Sequence, residues 1–281
     1  MTMRLGPARF HLGTQGWNYP AWVGPVYPRA ARSADFLPLY TRLFDTVEVD
    51  STFYAVPSAP TIENWTRRTP PTFRFALKFP REATHDAGLA GKESKETLSR
   101  FVERVRPLGP RLGPILIQLP AGFAPSRRST LEGFLDALPP DLQFAVEFRD
   151  PAWLATNVME ALAARRIAPT LTDSPFLPLD AMIDLASGIG ERGVAGLDFV
   201  YVRWLGNRDL TDYSRVQLDR SAELARWAAV LPPLLGRGID VYGYFNNHYQ
   251  GHSPASARAF MELVGITPKD PADLDPQGDL F

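Results

Sequence analysis

Glu147-Phe148-Arg149 sets an acid and a guanidinium two residues apart at the end of the apolar run Phe144-Ala145-Val146. If that run is a strand, its period of two turns both charges to the face shared by small Ala145. Burying an ionised pair costs several kcal/mol per ion before attraction and hydrogen bonds offset it. Taken alone, the pair reads as a salt bridge locking strand to loop. The pattern recurs, however, at the ends of seven other apolar runs, which carry Gln15, Glu48 with Asp50, Lys78, Gln118, Asp173, Arg203, and Asn246 with Asn247. Random end-capping has no need of four acids (Glu48, Asp50, Glu147, Asp173) and three bases (Lys78, Arg149, Arg203). These seven are the candidate catalytic residues.

Several chemistries suit such a set. Glu48 and Glu147 would serve as general acid and base, their separation deciding the stereochemistry if the substrate were a glycoside. Arg149 beside Glu147 favours the ionised carboxylate, which suits a ligand, base or nucleophile better than an acid. The acids, with His85, His248 or His252, offer oxygen and imidazole ligands to a divalent metal ion, the candidate cofactor, although no H-E-x-x-H or H-x-H spacing occurs. Lys78, Arg149 and Arg203 match a phosphate or carboxylate group, because a fork of donors fits those anions. Candidate substrate-binding residues are Gln15, Trp17, Tyr19, Tyr54, His85, Gln118, Trp153, Asn246, Asn247 and His248. The aromatic ones belong to a wider group with Trp22, Phe53, Trp204, Tyr244 and Tyr249, near the same ends. Such a rim stacks on sugars or bases, or else fills core beneath the loops. No serine elbow, Walker loop or dinucleotide fingerprint is present.

The elements that must position these groups are legible in order. Strands are expected at 10–16, 46–54, 73–80, 114–120, 144–149, 168–173, 199–206 and 240–247. Helices are expected at 35–44, 58–68, 94–106, 129–138, 151–166, 216–235 and 256–264, with a short one and glycine turns inside 176–196. Ser94–Arg106 has Leu98, Phe101, Val102 and Val105 at helical spacing. Ser129-Thr130-Leu131-Glu132 has capping-box spacing, and Pro151 suits a first helical turn. Eight strands alternating with helices imply an α/β protein, a single (β/α)8 TIM-type barrel over residues 1–266, followed by a flexible tail, 267–281. The strand ends of such a barrel converge on one mouth, where active sites of this fold lie.

The bulk properties fit one soluble unit. The chain has 281 residues, 45% hydrophobic and 22% charged, near the size at which this barrel forms one domain. A net charge of −1 provides no global field for nucleic acid or acidic membrane, so polyanion binding would need a local cluster. Absence of cysteine excludes disulfides, thiolate zinc sites and cysteine nucleophiles. No apolar run approaches ~18 residues and Met1–Phe10 lacks a leader-like stretch, so a cytoplasmic location without membrane partners is the expectation.

The motifs also resemble a known family. Gly13-Thr14-Gln15-Gly16-Trp17-Asn18-Tyr19, with Trp22 and Tyr27-Pro28, resembles the opening G-T-S-G-W-x-Y of the YecE-like family, a domain of unknown function numbered 72. Val47-Glu48-Val49-Asp50-Ser51-Thr52-Phe53-Tyr54 resembles V-E-x-N-x-T-F-Y. Phe75 to Pro80 with Thr84-His85, Gln118-Leu119-Pro120 with Phe123, Glu147-Phe148-Arg149 with Trp153, Tyr201-Val202-Arg203 and Phe245-Asn246-Asn247-His248 continue the series over roughly residues 10–265. The resemblance implies a (β/α)8-type barrel with polar groups at one mouth, and implies no particular reaction. Gln15 stands where the family pattern has Ser, Asp50 where it has Asn, and Leu205 where members often carry His.

The end of the chain, Gln277-Gly278-Asp279-Leu280-Phe281, resembles the Q-x-x-L-F peptide by which bacterial DNA-metabolism proteins dock on the replicative sliding clamp. Gln277, Leu280 and Phe281 are the candidate partner-binding residues, with Leu280 and Phe281 as apolar anchors. The leading expectation is a barrel hydrolase acting on a phosphate ester, a small molecule or nucleic acid in DNA repair or processing, with metal assistance. The alternatives are a carboxylate-based glycoside-type hydrolase, and a non-catalytic binding module recruited to DNA machinery through the tail.

Overall fold

Near-continuous apolar runs suit strands buried on both faces, and eight of them form an all-parallel sheet. In the computed structural model, which describes residues 7–207 and 209–274, the strands are β1 (Phe10–Gln15), β2 (Thr46–Val49), β3 (Arg74–Lys78), β4 (Leu112–Gln118), β5 (Phe144–Glu147), β6 (Ala168–Asp173), β7 (Phe199–Trp204) and β8 (Asp240–Phe245). Each pairs with the next, and β8 pairs with β1 to close the barrel. One principal helix follows each strand: α1 (Phe36–Leu43), α2 (Ala59–Arg68), α3 (Gly91–Val105), α4 (Arg128–Leu135), α5 (Thr156–Ala163), α6 (Leu179–Arg192), α7 (Ser221–Val230) and α8 (Ser253–Leu263).

Alternation along the strands divides the side chains. One set meets the helices: Phe79, just past β3, stands edge-on to Phe101 of α3, and Trp204 of β7 edge-on to Trp227 of α7. The other set fills the barrel. Tyr201 and Tyr244 have ring centroids 5.0 Å apart, and the Tyr244 hydroxyl lies 2.8 Å from Thr46 Oγ1. Small Ala76 and Ala145, both fully buried, share the inward faces of Lys78 and Glu147. They leave room for larger groups from the opposite wall.

Local chemistry trims several expected elements. The second strand was expected to reach Tyr54 but stops at Val49: Asp50 is helical and Ser51–Tyr54 forms one helical turn. Thr52 Oγ1 holds that turn against the strand ends, 2.9 Å from the Val49 carbonyl and 2.8 Å from that of Lys78. The helix expected over 151–166 is broken. Asp150 accepts the Ala152 N–H at 2.9 Å and caps a 3-10 turn, Pro151–Trp153, and α5 starts only at Thr156. The helix expected over 216–235 narrows to α7, because Gln217 and Leu218 bond the Gln250 carbonyl and Asp219 accepts the Ser221 N–H. At its other end a second short helix begins at Pro232-Pro233, which lack the N–H needed to continue α7. The poorly legible 176–196 stretch contains α6, 14 residues long.

After Ile266, where a flexible tail was expected, the chain is mostly exposed as far as Asp273, and Leu274 is buried in the core. Arg42 of α1 donates to the Asp273 carbonyl at 2.6 Å. Gln277, Leu280 and Phe281 lie outside the described residues.

Candidate active site at the barrel mouth

Arg203, near the end of β7, reaches across the barrel. Its Nε and Nη2 donate to the two oxygens of Glu48 on β2, at 2.9 and 2.7 Å. Its Nη1 donates to Glu147 on β5 at 2.6 Å. Tyr201, two residues earlier on the same face, donates to Glu48 at 2.7 Å. All four side chains are buried. A planar guanidinium with a fixed fork of donors suits this double grip on two carboxylates. Arg149 donates to the second oxygen of Glu147 at 3.3 Å, so the shared face expected of that pair is observed.

Above this layer lie the groups that face the cavity. Asp50 Oδ1 is 3.9 Å from Lys78 Nζ and 3.7 Å from Arg203 Nη2. Lys78 Nζ stands 4.0 Å over the Phe53 ring, and the Arg149 guanidinium 4.3 Å over Phe176. The cavity measures about 180 Å³. Lys78, Arg149 and Arg203 border it, with Asp50 as the one acid among the described lining residues. Gln15, Gln118, Asn246, His248 and Tyr54 complete the expected residues at its wall. Phe176, Leu205 and Gly206 also line it.

Burial and charge push the two carboxylates of Arg203 in opposite directions. Burial, set against the attraction of Arg203, raises Glu48 to about 7. Burial also opposes ionisation of Glu147, but Arg203, Arg149 and Lys78 together outweigh it and hold the carboxyl below its ordinary range. Burial, reinforced by Arg203, lowers the Lys78 ammonium. His85 sits beside the cavity in the π-helical turn Glu82–Asp86, its ring edge-on to Phe53. Burial and the cations Arg149, Lys78 and Arg81 lower it to about 4, so it is neutral at physiological pH.

Four expected site residues point elsewhere. Asp173 belongs to the outward face of β6. Its carboxylate accepts from Trp227 Nε1 at 3.2 Å and from the Tyr249 hydroxyl at 3.1 Å, while Thr172 is the register partner of Arg203. Trp17 packs against Trp65 of α2 and Phe75. Trp153 is buried against Phe148 and donates to the Phe123 carbonyl at 2.6 Å. Asn247 accepts from the backbone and hydroxyl of Ser253 at the start of α8. Tyr19 supports the wall from behind, donating to the Gln15 carbonyl at 2.9 Å and meeting Tyr213, which bonds His248.

Both acids of the expected glycosidase pair lie beneath the cavity. A sugar ring and water must fit between two such carboxylates, and here the Arg203 guanidinium occupies that space. Of the acids read as metal ligands, Glu48, Asp50 and Glu147 likewise meet Arg203 and Asp173 faces the helices, and among the described residues no three acidic or histidine side chains are grouped to hold a metal ion. Tyr201, read only as part of a family motif, and Phe176 are contributors absent from the expected site residues. The two-residue step from Tyr201 to Arg203 was an available signal, whereas Phe176 lies in the stretch whose pattern was least legible.

Comparison with known proteins places this architecture. A solved DUF72 family protein from Thermotoga maritima is 28% identical, with a TM-score of 0.73 over 91% of this chain and 99% of that one. YecE of Escherichia coli K12 is 28% identical over 250 residues, 80% of this chain and 84% of that protein. YunF of Bacillus subtilis 168 is 24% identical over 272 residues, 91% and 95% of the two chains. The family described as "Protein of unknown function DUF72" matches residues 11–279, nearly the whole barrel and the stretch beyond it, and the chain belongs to that family.

Proposed function

We propose that the mouth is the active site of a hydrolase for a small phosphate ester. The observation that carries the reading is the imbalance at the cavity wall: three cations, Lys78, Arg149 and Arg203, against the single carboxylate of Asp50. Glu147 and, when ionised, Glu48 offset part of that charge, since both bond Arg203 directly and Glu147 also bonds Arg149. They lie below the wall and hold the guanidinium of Arg203 in place, which preorganises the anion site.

In this reading Arg149 and Arg203 take the phosphoryl oxygens. Asp50, half-exposed and within 4 Å of both Lys78 and Arg203, accepts the proton of the attacking water. Lys78, its proton loosened by burial, protonates the departing ester oxygen. Water oxygen bonds to phosphorus, the ester P–O bond breaks, and the products are the alcohol and inorganic phosphate. The dimensions of the cavity favour a small ester over a duplex. The test is turnover of a phosphomonoester panel by the full chain, with and without added divalent metals, beside Asp50→Asn. Loss of a general base lowers kcat about 10²-fold or more. Equal turnover by Asp50→Asn would sink the assignment, and cleavage of glycosides in place of phosphate esters would sink the reaction class.

A further inference from the structure

Two buried amides at the cavity wall have hydrogen-bonding atoms without a partner among the described residues: Gln15 Nε2 and Gln118 Oε1. Both side chains are nine-tenths or more buried and both line the cavity. They stand on β1 and β4, on different sides of the mouth, next in register to Glu48 and Glu147 respectively. A buried polar atom left without a partner is costly, and native sites keep such atoms where a ligand completes them.

The surrounding bonds decide which atom of each amide is left without a partner. The Asn246 side-chain oxygen accepts the His248 backbone N–H at 2.8 Å, so Asn246 must present its nitrogen to Gln15. That nitrogen donates to Gln15 Oε1 at 2.7 Å, so the atom left without a partner is Nε2, a donor. On the other side, a Thr84 hydroxyl that donates to the Pro80 carbonyl at 3.2 Å accepts from His85 Nδ1 at 2.9 Å, the tautomer adopted for His85. A neutral His85 protonated at Nδ1 has an accepting Nε2, which faces the Gln118 nitrogen at 3.5 Å. The atom of Gln118 left without a partner is thus its oxygen, an acceptor. Asp50 Oδ1, likewise without a hydrogen-bond donor, is a second acceptor at the wall.

An acceptor gains nothing from a bare phosphate oxygen. It requires a ligand that donates. Resting on the phosphate-ester reading above, we propose that the substrate is a hydroxylated phosphate ester of the sugar-phosphate class. Its phosphoryl group lies on Arg149 and Arg203, one hydroxyl accepts from Gln15, and another donates to Gln118. The two glutamines are specificity-determining residues, and the cations supply affinity common to all phosphates.

The test is calorimetric titration of the full chain with ribose 5-phosphate, n-butyl phosphate and inorganic phosphate, repeated with Gln118→Leu and Gln15→Leu. The wild type binds ribose 5-phosphate about tenfold or more tightly than butyl phosphate, because only the sugar completes the buried amides. Gln118→Leu abolishes that preference, because its affinity for ribose 5-phosphate falls to that for butyl phosphate. Circular dichroism confirms that the variant is folded, since the same substitution removes the Gln118 contact to His85. Equal wild-type affinity for the sugar phosphate and the alkyl phosphate overturns the inference, as does a preference that survives in both leucine variants. Failure of all three phosphates to bind overturns the underlying phosphate reading, an outcome distinct from equal binding.

Discussion

Arg203 bonds two carboxylates from opposite walls of the barrel, and its position depends on both. Removing one partner of a buried pair leaves the other charge uncompensated. Glu147→Gln is therefore expected to lower unfolding free energy by about 3–5 kcal/mol in urea titration, and a loss below about 1 kcal/mol would mean that Arg203 is held by Glu48 alone. Proton linkage gives a second prediction. Glu48, raised to about 7, contributes stability that is complete below the unfolded carboxylate value and is lost as pH rises through 7. His85, lowered to about 4, works the other way: the unfolded chain binds the proton more readily, so its contribution is lost as pH falls toward 4. The urea midpoints of wild type and His85→Gln should accordingly converge as pH falls from about 6.5 to about 4. A constant separation across that range would show that His85 titrates as in the unfolded chain. The pairing of Glu147 with Arg149 was readable from a two-residue step, because both lie on one short segment. The grip of Arg203 on Glu48 was not, since 155 residues separate them and only closure of the barrel brings them together.

At the scale of elements, the frame of a strand decides which side chains reach the mouth. Ala168-Pro169-Thr170-Leu171-Thr172-Asp173 is legible as a strand, but small and polar residues on alternate positions leave its inward face ambiguous. Pairing of Thr172 with Arg203 settles it, and Asp173 faces the helices. Asp173→Ala leaves the Trp227 and Tyr249 donors unpartnered, so it should cost about 1–3 kcal/mol of stability with phosphate affinity unchanged. Weaker binding with unchanged stability would return Asp173 to the site. Gly206 lies in the turn after β7 with φ +64°, and a Cβ there would come 2.3 Å from the His248 carbonyl oxygen. Gly206→Ala must move the rim that carries His248, and a lower Tm together with weaker ligand binding is expected; unchanged values of both would show that the rim yields freely. Other element ends were misread for local reasons: Thr52 folds the end of β2 into a turn, and Asp150 caps a 3-10 turn that interrupts the expected helix.

At the scale of the molecule, the alternation of eight apolar runs with helices is enough to specify the barrel, because a parallel sheet needs a crossover helix after each strand and both faces covered. The mouth followed from that architecture. What did not follow was its division into buried carboxylates, Glu48 and Glu147, that hold Arg203 from below, and a cavity wall of Arg203, Asp50, Lys78, Arg149 and two glutamines. A net charge of −1 conceals this arrangement: three cations gather at one cavity of a nearly neutral chain. The central claim, that this cavity is a phosphate site, is tested most directly by titrating inorganic phosphate into wild type and Arg149→Gln, with circular dichroism confirming that both are folded. Saturable one-to-one binding that weakens about tenfold or more in Arg149→Gln is the predicted result, as expected for loss of a charge-assisted contact. Absence of binding to the wild type, or equal affinity in the two proteins, would contradict it.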